Sequence, residues 1–449
     1  MRTDVEDATK SPRFSAFAAC AIAAIAFFLG DPALGQWSQW GGPNRNFRVK
    51  TKGLAEEWPK DGPNRLWHKE LGVGYSGIVV DNGVLYTMYR KTMTTPEEFT
   101  VALDAKTGKQ VWQHENPAPL VEKPDERWGG QGPNSTPLIV GDRLFAVGSR
   151  SVLHCFDKKT GKVLWKHDLV SEFNAPLGRN CGYCCSPIAY KDMIILAIDQ
   201  ERPEEDSEEF RVPRVETLGK MEGQTLAAFK QATGEMIWKG LDFRIGFSSP
   251  ILIRFAGGDQ LVFSTRRGLI GVDPNNGYLM WHHPVIAREM TPVWNEKRSL
   301  LFYTSHSGST LGLAVKLTEK DGQTVPEEQW INRKIKIGIP TPVRVGDFIF
   351  GATDRLLMCV NMKTGKRVWA RRGYPEASCV YGDGKLITLD QNGRLTLATV
   401  TPEKLNVHSQ CTITEKYSLT APTLAGKTLY VRDRKHIMAL DVGEALSED

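Results

Sequence analysis

This chain lacks most of what would mark it as a disulfide-stapled, nucleic-acid-binding or membrane-embedded protein. It has eight cysteines in 449 residues. Downstream of an N-terminal apolar run they are Cys155, Cys181, Cys184, Cys185, Cys359, Cys379 and Cys411. An odd, dispersed set of this kind is no disulfide framework. Charge of one sign is also missing. There are 57 Lys and Arg against 52 Asp and Glu, interspersed, with no basic run and no aromatic–basic interleaving, which argues against a nucleic-acid partner. Catalytic signatures are absent too: no Gly-x-Ser-x-Gly elbow, no His-Glu-x-x-His, no phosphate-binding glycine loop and no Cys-x-x-Cys-His haem site. The acidic stretch Glu204-Glu205-Asp206-Ser207-Glu208-Glu209 lacks the alternating ligands and glycine of a calcium loop and reads as a solvated insertion.

Long hydrophobic runs are limited to one, residues 14–29, which follows Lys10 and Arg13 and precedes Ala33-Leu34-Gly35. Charged start, apolar centre and small residues at the end read as a secretory signal peptide over residues 1–35. The alternative is an uncleaved signal anchor, for which the run is at the short limit. That anchor would be the sole membrane attachment. Either way the rest of the chain is expected outside the cytoplasm, periplasmic or secreted.

What is abundant is repetition. Asp104-Ala105-Lys106-Thr107-Gly108-Lys109-Gln110-Val111-Trp112 recurs as Asp157 to Trp165, and more loosely at Lys230 to Trp238, Asp273 to Trp281 and Asn361 to Trp369. Glu328-Gln329-Trp330 ends a degenerate copy. A unit of about forty residues is one supersecondary element copied in space. Read at Ser135 to Trp165, one copy holds four short apolar strands separated by turns at Gly141-Asp142 and Lys159-Thr160-Gly161, the pattern of a propeller blade. Pro137, Pro187, Pro250, Pro292, Pro342 and Pro422 open six copies, at strand starts where a missing N–H is tolerated. Tyr75-Ser76-Gly77 and Ala377-Ser378 open two more. The last copy stops at Asp441 without a Trp strand, while an orphan Trp strand, Leu66 to Leu71, precedes the first. The expected fold is therefore all-β: an eight-bladed propeller of four-stranded antiparallel blades over residues 65–449, closed by the N-terminal strand, with residues 36–64 as an extension. Closure removes the exposed sheet edges. In this frame the repeat Trp and Gly are architecture rather than an active site. Cys155 and Cys359 stand where other copies have Ala102, Ala228 and Ala439 and read as small buried hydrophobes.

Loops entering the innermost strands ring the central channel on one face. They present Tyr75, Ser76, Asn134, Ser135, Cys184, Cys185, Phe247, Ser248, Glu289 and Thr341. Convergent polar groups over apolar walls make a candidate ligand site; the plain alternative is that these groups satisfy strand ends. Cys181 and Cys184 have Cys-x-x-Cys spacing, but a zinc site needs four ligands and no second pair is nearby, so no metal site is assigned. A bond between adjacent Cys184 and Cys185 would be strained and easily reduced.

The motif Ala-x-Asp-x-x-Thr-Gly-x-x-x-Trp of Ala102 to Trp112, repeated across about residues 65–442, resembles the PQQ-like propeller repeat family. That family includes quinoprotein alcohol dehydrogenases and BamB, a lipoprotein of the outer-membrane assembly machine. The head, Gln36-Trp37-Ser38-Gln39-Trp40-Gly41-Gly42-Pro43-Asn44-Arg45, resembles secreted propellers of planctomycete-type bacteria. The resemblance implies two functions. One is a noncatalytic binding or scaffold protein with a protein partner and no cofactor. The other is a dehydrogenase holding PQQ and calcium over the channel, where Cys184-Cys185 is similar to the vicinal disulfide of such enzymes. Their calcium ligands and catalytic Asp cannot be placed on these residues.

Mass spectrometry of the exported protein should find a mature N-terminus near Gln36. An intact Met1 terminus in a soluble cytoplasmic fraction contradicts the signal-peptide reading.

Overall fold

A computed structural model describes residues 36–120, 132–175, 182–198, 218–285, 290–304, 312–338, 342–414 and 417–444. Eight separate four-stranded antiparallel sheets account for 32 strands. Their innermost strands are short: Val79–Asp81, Leu138–Val140, Ile188–Tyr190, Ile251–Phe255, Val293–Asn295, Val343–Val345, Ser378–Gly382 and Thr423–Ala425. A single short helix, Leu169–Phe173, interrupts the described β-structure. Its cap is Asp168, whose side chain accepts from the Val170 and Ser171 N–H groups.

The sheet order confirms closure by the N-terminus. Strand Asn64–Glu70 pairs antiparallel with His436–Asp441 and forms the outer edge of the eighth blade. The orphan Trp strand thus supplies what the last copy lacks.

Blades are joined by one recurrent contact. Each repeat Trp stands on an outer strand opposite a small residue of its own blade: Ala102 faces Trp112, Cys155 faces Trp165, Ala228 faces Trp238, Cys359 faces Trp369 and Ala439 faces Trp67. The indole then leans onto the next blade. Trp67, Trp112, Trp165, Trp238 and Trp330 cover Gly108, Gly161, Gly234, Gly277 and Gly365, and a Cβ on any of these glycines would lie within 2.9 Å of the ring. Each of those glycines also has positive φ, so close approach and backbone conformation both demand a residue without a side chain. The indole N–H donates to a carbonyl of the same turn, as Trp67 to Ala105 (3.0 Å), Trp112 to Lys158 (2.8 Å) and Trp330 to Met362 (2.9 Å). The turn is set from within: Asp104 Oδ1 accepts from both the Thr107 N–H and hydroxyl at 2.7 Å, and Asp157 does the same with Thr160. These bonds hold both carboxyls below the usual range.

Trp281 departs from the expected equivalence. The fifth blade has no Thr-Gly turn; its outer hairpin runs from Gly312–Lys320 to Gln323–Asn332. Trp281 instead folds over Gly271 of its own blade, where a Cβ would sit 1.9 Å from Nε1. Its N–H donates to Gln260 Oε1 at 2.8 Å. Gly271 occupies the position that is Ala or Cys in the other copies named above. The substitution to Gly and the inward indole explain each other.

Cys155 and Cys359 are fully buried, and burial pushes both thiols up to about 12. At neutral pH they are protonated, apolar fillers.

Trp112→Ala should lower stability by about 3–5 kcal/mol through lost burial and the cavity left behind, whereas Trp112→Phe should cost less because much of the ring remains. Chemical denaturation of both variants checks the order, and equal midpoints for Trp112→Ala and wild type would refute the packing role. Deleting residues 36–71 should expose the edge of His436–Asp441 and produce aggregates in size-exclusion chromatography; a monodisperse truncated protein would show that closure is dispensable.

Candidate functional site

Each innermost strand begins at the face where the loops from the preceding blade arrive. Here the hydroxyls next to the opening prolines form a belt between blades. The Thr136 N–H donates to Ser186 Oγ (3.0 Å), the Ser186 N–H to Ser249 Oγ (2.9 Å) and the Ser249 N–H to Thr291 Oγ1 (2.9 Å). Each of these four residues directly precedes a proline. Proline restricts the residue before it to extended conformations, which fixes the direction of its N–H and lets a neighbouring Ser or Thr accept from it. Such a belt satisfies backbone donors that would otherwise be buried unpaired.

The predicted ring residues sit beside this belt. The Ser76 hydroxyl is fully buried and donates to Ser135 O at 2.8 Å, so the structure brings those two residues together. Ser248 turns instead to Ser264 O of its own blade at 2.8 Å. Ser135 is buried with its hydroxyl unpartnered among the described residues. Asn134 is half-buried, and Phe247 is exposed. Cys185 is buried with its thiol 3.9 Å from Gly246 O, while half-buried Cys184 donates to Gly182 O at 3.3 Å. Tyr75 is half-buried, and desolvation pushes its phenol up to about 12. Neighbouring Tyr183 donates to Ala197 O at 2.7 Å. Glu289 and Thr341 lie outside the described residues.

Beyond that ring the main feature is the N-terminal extension, which enters the channel. Trp37 exchanges backbone hydrogen bonds with Val80, Ser38 O accepts from the Ile139 N–H, and Tyr381 pairs with Phe47 O and the Val49 N–H. The arm therefore pairs with the inner edges of blades one, two and seven. It reverses at Gly41 and Gly42, both at positive φ, and buries Trp37 and Phe47 with Trp40 edge-on to Phe47 at 5.1 Å. It then leaves past the Asp383 carboxylate, which accepts from the Leu54 N–H, and the Ser409 hydroxyl, which accepts from the Trp58 N–H. From there it runs into the closing strand. Arg45 projects from the reversal to donate to Pro187 O (3.0 Å) and Ser186 O (3.4 Å) at the opening of blade three, with its guanidinium 5.3 Å over the Trp40 ring. Burial lowers its pKa to about 9.

A second buried cation clasps the closure. Arg432 of blade eight donates to Ser76 O, Met88 O and Gly72 O of blade one or the loop before it. Within blade one Arg90 pairs with Glu98 at 3.0 Å, and Glu98 reaches blade two by accepting from the Ser149 N–H at 2.9 Å. Among the described residues no three His, Cys, Asp or Glu side chains stand together as a metal site.

Sequence reasoning placed the ring one residue away from the belt and missed the arm's role. The belt had a signal, a Ser or Thr before proline in several copies. The arm had a weaker one, aromatic residues flanking Gly41-Gly42-Pro43 with no periodicity to give them a register.

Quinoprotein alcohol dehydrogenase PedH of Pseudomonas putida is 23% identical over 193 residues, covering 38% of this chain and 27% of that enzyme. The chain thus matches well under two thirds of that curated relative. Among solved structures, BamB from Moraxella catarrhalis aligns with a TM-score of 0.57 at 12% identity, over 84% of this chain and 99% of that one. Quinohemoprotein alcohol dehydrogenase from Comamonas testosteroni aligns at 0.50 and 12% identity, over 94% of this chain and 82% of that one. At these identities the structural likeness shows the fold alone. A family model described as outer membrane protein assembly factor BamB matches residues 54–168 and 97–371, and the chain belongs to that PQQ-like propeller family.

Proposed function

We propose that this chain is a noncatalytic propeller that works outside the cytoplasm as a binding or scaffold protein for a protein partner. The observation that carries this reading is the arm in the channel. It anchors to three blades and sends Arg45 up to the carbonyls at the loop-bearing face. Of the described ring serines, Ser76 and Ser248 commit their hydroxyls to backbone carbonyls, and only the fully buried Ser135 hydroxyl has no partner among the described residues. Such a body is a rigid platform, and recognition on platforms of this kind belongs to exposed loops at the rim. The family's description as an assembly factor agrees with this reading.

A quinoprotein reading is kept alive by the adjacent Cys184 and Cys185 at the opening of blade three and by the match to PedH. The described ring residues do not fit that cofactor well. They offer hydroxyls, thiols, a phenol and the single Asn134 amide rather than the clustered carboxylates of a calcium site.

One experiment separates the two. Titrating the purified protein with PQQ and calcium, with dye reduction followed over a panel of alcohols, should give no turnover and no binding that Cys184→Ser abolishes. A photo-crosslinking residue in place of exposed Phe247 should give a discrete protein adduct in cells, while one in place of Lys109 on the opposite face should not. Micromolar PQQ binding that Cys184→Ser abolishes would replace the scaffold reading with the enzyme.

A further inference from the structure

The channel is not solid. Beside the arm, between the innermost strands, lies a cavity of ≈ 800 Å³, within the range of about 300–1,000 Å³ typical of small-molecule sites. Leu252, Trp294 and Tyr381 give it apolar and aromatic walls. Its charged lining is one-sided: among the described residues, five cations, Arg45, Arg48, Lys50, Arg254 and Arg344, face it against the single carboxylate Glu296.

That carboxylate is already engaged, since Arg344 Nη2 donates to Glu296 at 2.7 Å. Arg254 is largely exposed and paired with Asp259 at 3.2 Å. The uncompensated charge therefore belongs to the arm. Arg45 is 7% exposed, and its hydrogen bonds run to neutral oxygens: Pro187 O, Ser186 O and Gln39 Oε1. Its Nε is buried without a partner among the described residues. Arg48 lies 5.8 Å over the Tyr381 ring, and among the described residues its Nε is likewise buried without a partner. Burying a guanidinium among neutral acceptors is costly unless an anion compensates it. The fall of the Arg45 pKa to about 9 reflects that cost. Low-dielectric walls around a cluster of one sign also focus its field into the cavity.

We propose that this cavity, on the arm-lined side of the channel and distinct from the ring of Cys184 and Cys185, binds a small organic polyanion. Arg48 supplies a forked donor suited to carboxylate or phosphate oxygens, with the charges of Arg45 and Lys50 beside it. Trp294 and Tyr381 supply faces for a flat scaffold. A volume of ≈ 800 Å³, open to solvent, suits a small molecule rather than a folded domain. This site is independent of the scaffold reading, because it is recognised by the arm and not by the rim loops.

Calorimetry on the whole mature protein tests it, with benzenetricarboxylate, pyrophosphate and a hexaglutamate peptide as probes. At least one small probe should bind with one-to-one stoichiometry in the micromolar range at low ionic strength. The affinity should fall about tenfold or more at physiological salt. Arg48→Gln should weaken binding by about tenfold, and Lys50→Gln, at an exposed position that leaves folding intact, by about threefold. Binding of benzenetricarboxylate alone would identify a carboxylate ligand, and of pyrophosphate alone a phosphate. The proposal fails if neither small probe binds, if both variants bind as tightly as wild type, or if the hexaglutamate peptide binds more tightly than both small probes.

Discussion

The contact on which this ring depends is an indole resting on a glycine. A Trp at the end of one blade covers the turn of the next and donates its N–H to a carbonyl of that turn. Apolar burial supplies the attraction and the hydrogen bond supplies the registration. The same contact spans the closure, where Trp67 of the N-terminal strand covers Gly108 of the first blade. Because every blade meets only its neighbours, ring stability is close to a sum of such interfaces. That explains how one of them can be rebuilt, as at Trp281, without loss of the architecture.

The fold was legible because periodicity amplifies weak signals. A lone Thr-Gly-Lys means little, but five related copies with Trp at fixed spacing define strand, turn and interface together. Trp330 was legible even in a degenerate copy, by its distance from its neighbours. Trp281 was not: its sequence context matches the others, and what differs is the turn missing from the following blade and the Gly271 beneath it. Local reading cannot see that pair.

The channel was less legible for the same reason inverted. Residues 36–50 are unique in the chain, so no repeat fixes their partners. Their hydrogen bonds to Val80, Ile139 and Tyr381 join positions scattered over three blades. The opening belt lay nearer to view. Ser135, Ser248 and Cys185 were singled out, whereas the belt itself runs through their neighbours Thr136, Ser249 and Ser186. Strand alternation sends adjacent residues to opposite sides, so an offset of one residue exchanges a belt for a lining.

Closure by the first strand also sets an order of events in the life of the chain. Asn64–Glu70 is synthesised before any of the blades, yet its partner His436–Asp441 is made after every other strand of the ring. Contacts of such long sequence separation are slow to form, because their loop entropy must be met before they give anything back. Blades one to seven can assemble as each emerges, since their strands are contiguous. The eighth must wait with an open edge, and the first strand waits unpaired beside it. The vulnerable interval of this protein is therefore the one before its eighth blade closes, when a nearly complete ring offers one unpaired strand to any other chain that can reach it.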